Sequence, residues 1–200
     1  MPDVRMPTQA RAIKKRDLII KKGFELMCKE GYHNTNTTEI GKYAGVSTGI
    51  IYQYFNDKKE IFIEGTKRYL DGHIIDTTKF IDKNMDLDID KFFRSLIEYV
   101  GKNYSKKTSV VHQLTAMEFL YDEIKEIMDE IKEKYSNKIY EYLTNKKVDK
   151  KDLLEKIHLI IRVVDSTSHD FVLYKNDKKK FNKIEDYAIS IINNLLKSNH

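Results

Sequence analysis

The sequence predicts an all-α chain of about nine helices, and three observations predict it. No stretch keeps the strict apolar–polar alternation of a half-buried strand, whereas apolar residues recur at three- and four-residue spacings. Between residues 102 and 200 there is neither glycine nor proline, the residues that most often interrupt a helix. Capping signals stand where the periodic stretches begin: Asn36 and Thr37 with Glu39, Ser47, and Asp57 with Glu60.

Taken in order, residues 1–8 hold both prolines, Pro2 and Pro7, and read as a mobile arm. Thr8 is placed to cap a first helix from residue 9 to Glu30, with Ile13, Ile19, Ile20, Phe24 and Met27 as its apolar stripe and Gly31 as its stop. Cys28 lies near that stripe and reads as a small core residue. Two short helices follow, one starting at Asn36 or Thr37 and broken at Gly45, the other starting at Ser47. Ile40, Ala44, Val46, Ile50, Ile51 and Phe55 let that pair cross closely and leave Thr48, Gly49, Tyr52, Gln53 and Tyr54 outward. From Asp57 a longer helix runs toward Phe80 through Ile61, Phe62, Tyr69, Leu70 and Ile74. Further helices are read at about 88–104, 107–121, 123–145, 150–175 and 180–198. The last two carry the broadest apolar faces, Ile157, Ile160, Ile161, Val164, Phe171 and Val172 against Ile184, Tyr187, Ile191, Leu195 and Leu196.

Composition narrows the function classes. With 40% apolar and 34% charged residues the chain is globular, and no apolar run approaches the roughly 18 residues that span a membrane. The N-terminus has no apolar core of a secretory signal, so a cytoplasmic location and no membrane partner are expected. A single cysteine excludes an intrachain disulfide. The net charge of +5 is uneven: +4 falls in residues 1–60 and +1 in residues 61–200. Arg11, Lys14, Lys15, Arg16, Lys21 and Lys22 therefore suit a polyanionic partner, although a solvated helix face reads the same way. No glycine-rich phosphate loop, G-x-S-x-G or paired Glu-x-x-His occurs, so no enzyme activity and no cofactor are expected.

The capped pair at residues 36–55 has the plan of a helix-turn-helix, whose second helix enters the DNA major groove. The hydroxyls of Thr37, Thr38, Ser47 and Tyr52 and the ammonium of Lys58 suit phosphate oxygens. Thr48, Gln53 and Tyr54 are better suited to base edges, and Gly49 permits close backbone approach. The run A-G-V-S-x-G-x-x-Y-x-Y-F-x-x-K, present as Ala44 to Lys58, resembles the signature of the TetR/AcrR family of bacterial transcriptional regulators. The resemblance extends through Arg16–Ile20, Phe24–Met27, Gly31-Tyr32 and Thr37–Ile40, and covers roughly residues 11–63.

That resemblance implies an N-terminal three-helix DNA-binding domain in residues 1–57 and a larger helical ligand-binding and dimerisation domain in residues 58–200. It implies DNA contact at Thr37, Thr48, Gly49, Tyr52, Tyr54 and Lys58, a homodimer through the last two long helices, and a palindromic double-stranded operator. Most often it implies a repressor released by a small molecule; a regulator without an inducer, or more remotely a helical-bundle metal-binding enzyme, is the alternative. Two departures stand out. Thr48 occupies a position where Lys is frequent, and Gly41 one where Ala is usual, which should weaken the helix by about 1 kcal/mol.

The ligand is less legible. Phe93, Tyr104, His112, Met117, Glu118 and Tyr121 are candidate pocket residues, with Glu118 able to face a cationic ligand, yet the same spacing fits plain core. His158, Arg162, Asp165 and His169 align on one helical face and invite a metal, but a solvated or interfacial polar strip explains them as well, and no metal is expected.

Overall fold

A computed structural model of the chain describes the backbone of residues 5–198 and the side chains of residues 10–198. Among the described residues there are nine helices and no strand, in the order α1 (Arg5–Glu30), α2 (Thr37–Ala44), α3 (Thr48–Tyr52), α4 (Lys58–Lys83), α5 (Ile89–Lys106), α6 (Thr108–Glu118), α7 (Asp122–Asn145), α8 (Leu153–Leu173) and α9 (Lys178–Lys197). The expected arm lies outside the described residues for positions 1–4. From Arg5 onward the chain is already helical, so Thr8 is not the cap. Pro7 falls in the first turn, where a missing N–H leaves no helical bond unmade.

The described residues divide into two compact units, one reaching to Gly72 together with Ser109–Met128, the other His73–Thr108 together with the described residues from Asp129 onward. In the first unit Ile19, Ile20 and Met27 of α1, Ile40 of α2, Ile51 of α3 and Ile61 and Phe62 of α4 are almost completely buried. Each such side chain contributes about 1.5–3 kcal/mol on removal from water. Ile13, read as part of the stripe, is instead 55% exposed. The turn that follows it is tied to α4 by polar pairs, Arg16 with Glu64 and Asp17 with Arg68, rather than by apolar packing. Gly65 lets α1 and α4 touch, since a Cβ there would lie 2.4 Å from Cβ of Phe24. Cys28 is 3% exposed, and burial pushes its thiol up to about 12, as suits a core residue.

The second unit has its own core of Phe92, Phe93, Leu96 and Ile97 from α5, Tyr142 and Leu143 from α7, and Ile157, Ile160 and Val164 from α8. Phe92 stacks on Tyr142 at 3.6 Å between centroids, and the Tyr142 hydroxyl donates to the Leu87 carbonyl at 2.9 Å. Ser168 Oγ donates to the Ile97 carbonyl at 3.2 Å, joining α8 to α5. The apolar faces of α8 and α9 are thus partly spent on this core. Leu154, Leu159, Leu173, Tyr187 and Ile191 remain outside it, each more than 45% exposed.

Candidate nucleic-acid interface and ligand cavity

The helix pair is built as its sequence requires. Asn36 accepts at Oδ1 from the Glu39 N–H at 3.0 Å, and Glu39 accepts from the Asn36 N–H at 2.9 Å, a reciprocal cap on α2. Gly45 ends α2 in the left-handed region at φ 68, and Ser47 Oγ accepts from the Ile50 N–H to start α3. Asp57 caps α4 by accepting from the Glu60 N–H at 3.0 Å. Glu60 reaches one residue further back than the box pattern predicts, accepting from the backbone and side-chain N–H groups of Asn56.

Gly41 departs from the expectation that glycine merely weakens α2. A Cβ at this buried position would lie 2.9 Å from the Val46 carbonyl oxygen, and Val46 N–H already donates to the Gly41 carbonyl at 2.9 Å. The absence of a side chain is what lets the turn fold back against α2.

Thr38, Ser47, Gly49, Tyr52 and Gln53 are exposed, and Thr37, Thr48 and Tyr54 are half-buried. Thr37 and Tyr52 share a hydrogen bond of 3.0 Å between their hydroxyls, which ties the start of α2 to the end of α3. Lys58 is placed differently from a free phosphate ligand. Its Nζ donates to the carbonyls of Tyr32 and Thr35, both at 2.7 Å, and lies 4.5 Å from the centre of the Tyr32 ring. The ammonium is thus committed to holding the α1–α2 loop. Gln113 of α6 holds the same loop, its Oε1 accepting from the Tyr32 N–H at 3.0 Å, and the Tyr32 ring meets Tyr121 edge-on. Along α1, Arg16 and Lys22 are paired with Glu64 and Glu25, while Arg11, Lys14, Lys15 and Lys21 are exposed.

In the second unit a cavity of about 80 Å³ opens among α4, α5, α7 and α8. Its apolar lining is Ile81, Leu96, Val100, Ile139, Ile161 and Val164; its polar lining is His73, Thr77, Tyr104, Tyr135 and Asp165. Tyr104 OH donates to Asp165 Oδ1 at 2.5 Å. Thr77 is 3% exposed, and its hydroxyl has no hydrogen-bond partner among the described residues. Burial holds the His73 imidazole below its ordinary range; Lys107 pushes the same way and Asp76 opposes.

The six sequence candidates for the pocket are divided between the two units. Tyr104 lines the cavity; Phe93 is fully buried in the core of the same unit; His112, Met117, Glu118 and Tyr121 belong to the first unit. Apolar spacing on α5 and α6 looked alike, and the spacing of a single helix does not say which neighbours face it. Asp165 carries a signal in the sequence, since it belongs to the His158–His169 strip, but as a metal candidate. Among the described residues no cluster of three potential metal ligands occurs. His73, Thr77 and Tyr135 carried no signal that separates them from ordinary helical positions.

The first unit is therefore a helix-turn-helix module on an all-α chain. Residues 19–64 match the model of the bacterial regulatory proteins of the tetR family. It is 41% identical over 59 residues to the HTH-type transcriptional regulator HbdR of Aromatoleum sp. strain CIB, covering 30% of this chain and 26% of that protein. To the fatty acid metabolism regulator protein of Bacillus subtilis strain 168 it is 42% identical over 45 residues, 22% of this chain and 23% of that one. The likeness to these relatives thus spans about a quarter of their length. The fold likeness is wider: the FadR regulator of Bacillus subtilis, solved with stearoyl-CoA, superposes with a TM-score of 0.64 over 92% of this chain and 98% of that one, at 23% identity. No helix among the described residues is long and apolar enough to cross a membrane.

Proposed function

We propose that the chain is a sequence-specific DNA-binding transcriptional regulator, a repressor released from its operator by a small molecule bound in the C-terminal part. The observation that carries the reading is the doubly capped α2–α3 pair, with Thr38, Ser47, Gly49, Tyr52 and Gln53 exposed along it and half-buried Thr37, Thr48 and Tyr54 beside them. In this reading Thr37, Thr38, Ser47 and Tyr52 meet phosphates, and Thr48, Gln53 and Tyr54 meet base edges. Lys58 positions the reading pair from behind. Residues 1–57 are the DNA-binding domain and residues 58–200 the ligand-binding and dimerisation domain.

Two copies associate through α8 and α9, whose outer face includes Leu154, Leu159, Tyr187 and Ile191. A two-fold dimer presents two copies of α3 about 34–36 Å apart, matched to a palindrome. Helix α4 supplies Lys58 at its start and the cavity residues His73, Thr77 and Ile81 further along, so a ligand that moves α4 also moves the support of the reading pair. Such a protein works in the cytoplasm, without a cofactor. The test is selection from a pool of random duplexes by the purified chain at two salt concentrations. A palindrome with half-sites one turn apart, bound less tightly as salt rises, is the expected result. A folded protein that enriches nothing, with and without added metabolite extracts, overturns the reading.

A further inference from the structure

The charge balance of the cavity says what class of molecule it suits, and the inference rests on the proposal that this cavity is the ligand site. Six of its lining residues are apolar, and none is Lys or Arg. His73 is held toward its neutral form, with Lys107 and Asp76 offsetting one another around it. The remaining formal charge in the lining is the carboxylate of Asp165, a solvent-exposed residue. A carboxylate has about four acceptor positions, and the Tyr104 hydroxyl occupies one of them. Tyr104 and Tyr135 add aromatic rings to the lining, which suit a cation better than an anion. Deeper in, the buried Thr77 hydroxyl lacks a hydrogen-bond partner among the described residues, an arrangement that a bound polar group relieves.

We infer that this cavity takes a small apolar molecule bearing a protonated amine, with the ammonium at Asp165 and the hydrocarbon among Ile81, Leu96, Ile139 and Val164. An acyl chain with an anionic head, such as the stearoyl-CoA of the FadR structure, meets the opposite charge pattern here. The volume, about 80 Å³, also falls below the roughly 300 Å³ and upward of sites for drug-sized ligands.

The test uses the full chain with isoleucine methyl labels, titrated at pH 7.5 with n-butylamine, 1-butanol and butanoate, and read from the methyl shifts of Ile81, Ile139 and Ile161. The expected result is saturable binding of the amine about 10-fold tighter than the alcohol, with no saturation by butanoate. In Asp165→Asn the amine falls to the affinity of the alcohol, and in Thr77→Val both bind less tightly while the methyl spectrum stays folded. Butanoate binding as tightly as the amine, or an amine preference that survives Asp165→Asn, overturns the assignment. DNA release is measured separately on the selected duplex. Amine binding without release removes the regulatory reading and keeps the site; release by an anionic acyl compound alone keeps the regulatory reading and removes the amine assignment.

Discussion

Replacing Lys58 by Met separates two roles that the sequence could not tell apart. In the structure the ammonium makes two charge-assisted bonds of 2.7 Å to the carbonyls of Tyr32 and Thr35 and faces the Tyr32 ring. Such bonds are worth about 1.5–3 kcal/mol each when desolvated, and Lys58 is half-buried, so the discounted loss is about 2 kcal/mol in all. For a chain of 200 residues that corresponds to roughly 4–8 °C in Tm. A phosphate-binding lysine behaves otherwise: its loss lowers the slope of log affinity against log salt by about 0.9 for each protomer. The two assays are thermal unfolding and fluorescence anisotropy of the selected duplex across a salt series. The positioning role predicts a lower Tm, weaker DNA binding and an unchanged slope. A slope reduced by about 1 per protomer with an unchanged Tm would refute it.

Three further outcomes follow from the same geometry. Gly41→Ala should gain about 1 kcal/mol in an ordinary helix, but here the new Cβ meets the Val46 carbonyl at 2.9 Å; a net loss of about 1–3 kcal/mol in denaturant unfolding is expected, and a raised midpoint would contradict the close approach. The lowered pKa of His73 means that the folded chain binds fewer protons than the unfolded one below the ordinary value of 6.5, so stability falls as pH drops through that value and toward the folded pKa. That dependence should shrink in His73→Gln, measured by urea unfolding between pH 7.5 and 5.5. Ile191→Glu, on the outer face of α9, should convert a dimer to a monomer in sedimentation while leaving the helical signal intact.

The elements that were legible in the sequence share one property: their determinants are local. The Asn36–Glu39 box, the left-handed Gly45 and the Ser47 cap each depend on residues within four positions of one another, so the pair α2–α3 could be read in full. Helix ends without such chemistry drifted, and α6 stops at Glu118 where the periodicity suggested residue 121. What depends on distant partners could not be read. The commitment of Lys58 to carbonyls 23 and 26 residues away, the contact of Gln113 with Tyr32 across 81 residues, and the choice of Asp165 rather than Glu118 as cavity carboxylate are all set by packing between helices. Gly41 belongs with them, since its value lies in a clash that appears only once α3 is in place.

The reading of α3 as the recognition element is tested most directly by comparing the duplexes selected by the wild-type chain with those selected by Gln53→Ala. Gln53 is exposed at the end of α3 and is proposed to reach a base edge without carrying any part of the fold. The wild type is expected to enrich a two-fold palindrome, and the variant the same palindrome with preference lost at one position in each half-site, at a cost of about 1–3 kcal/mol there. Identical enriched sequences for Gln53→Ala, Thr48→Ala and Tyr54→Ala would contradict the account.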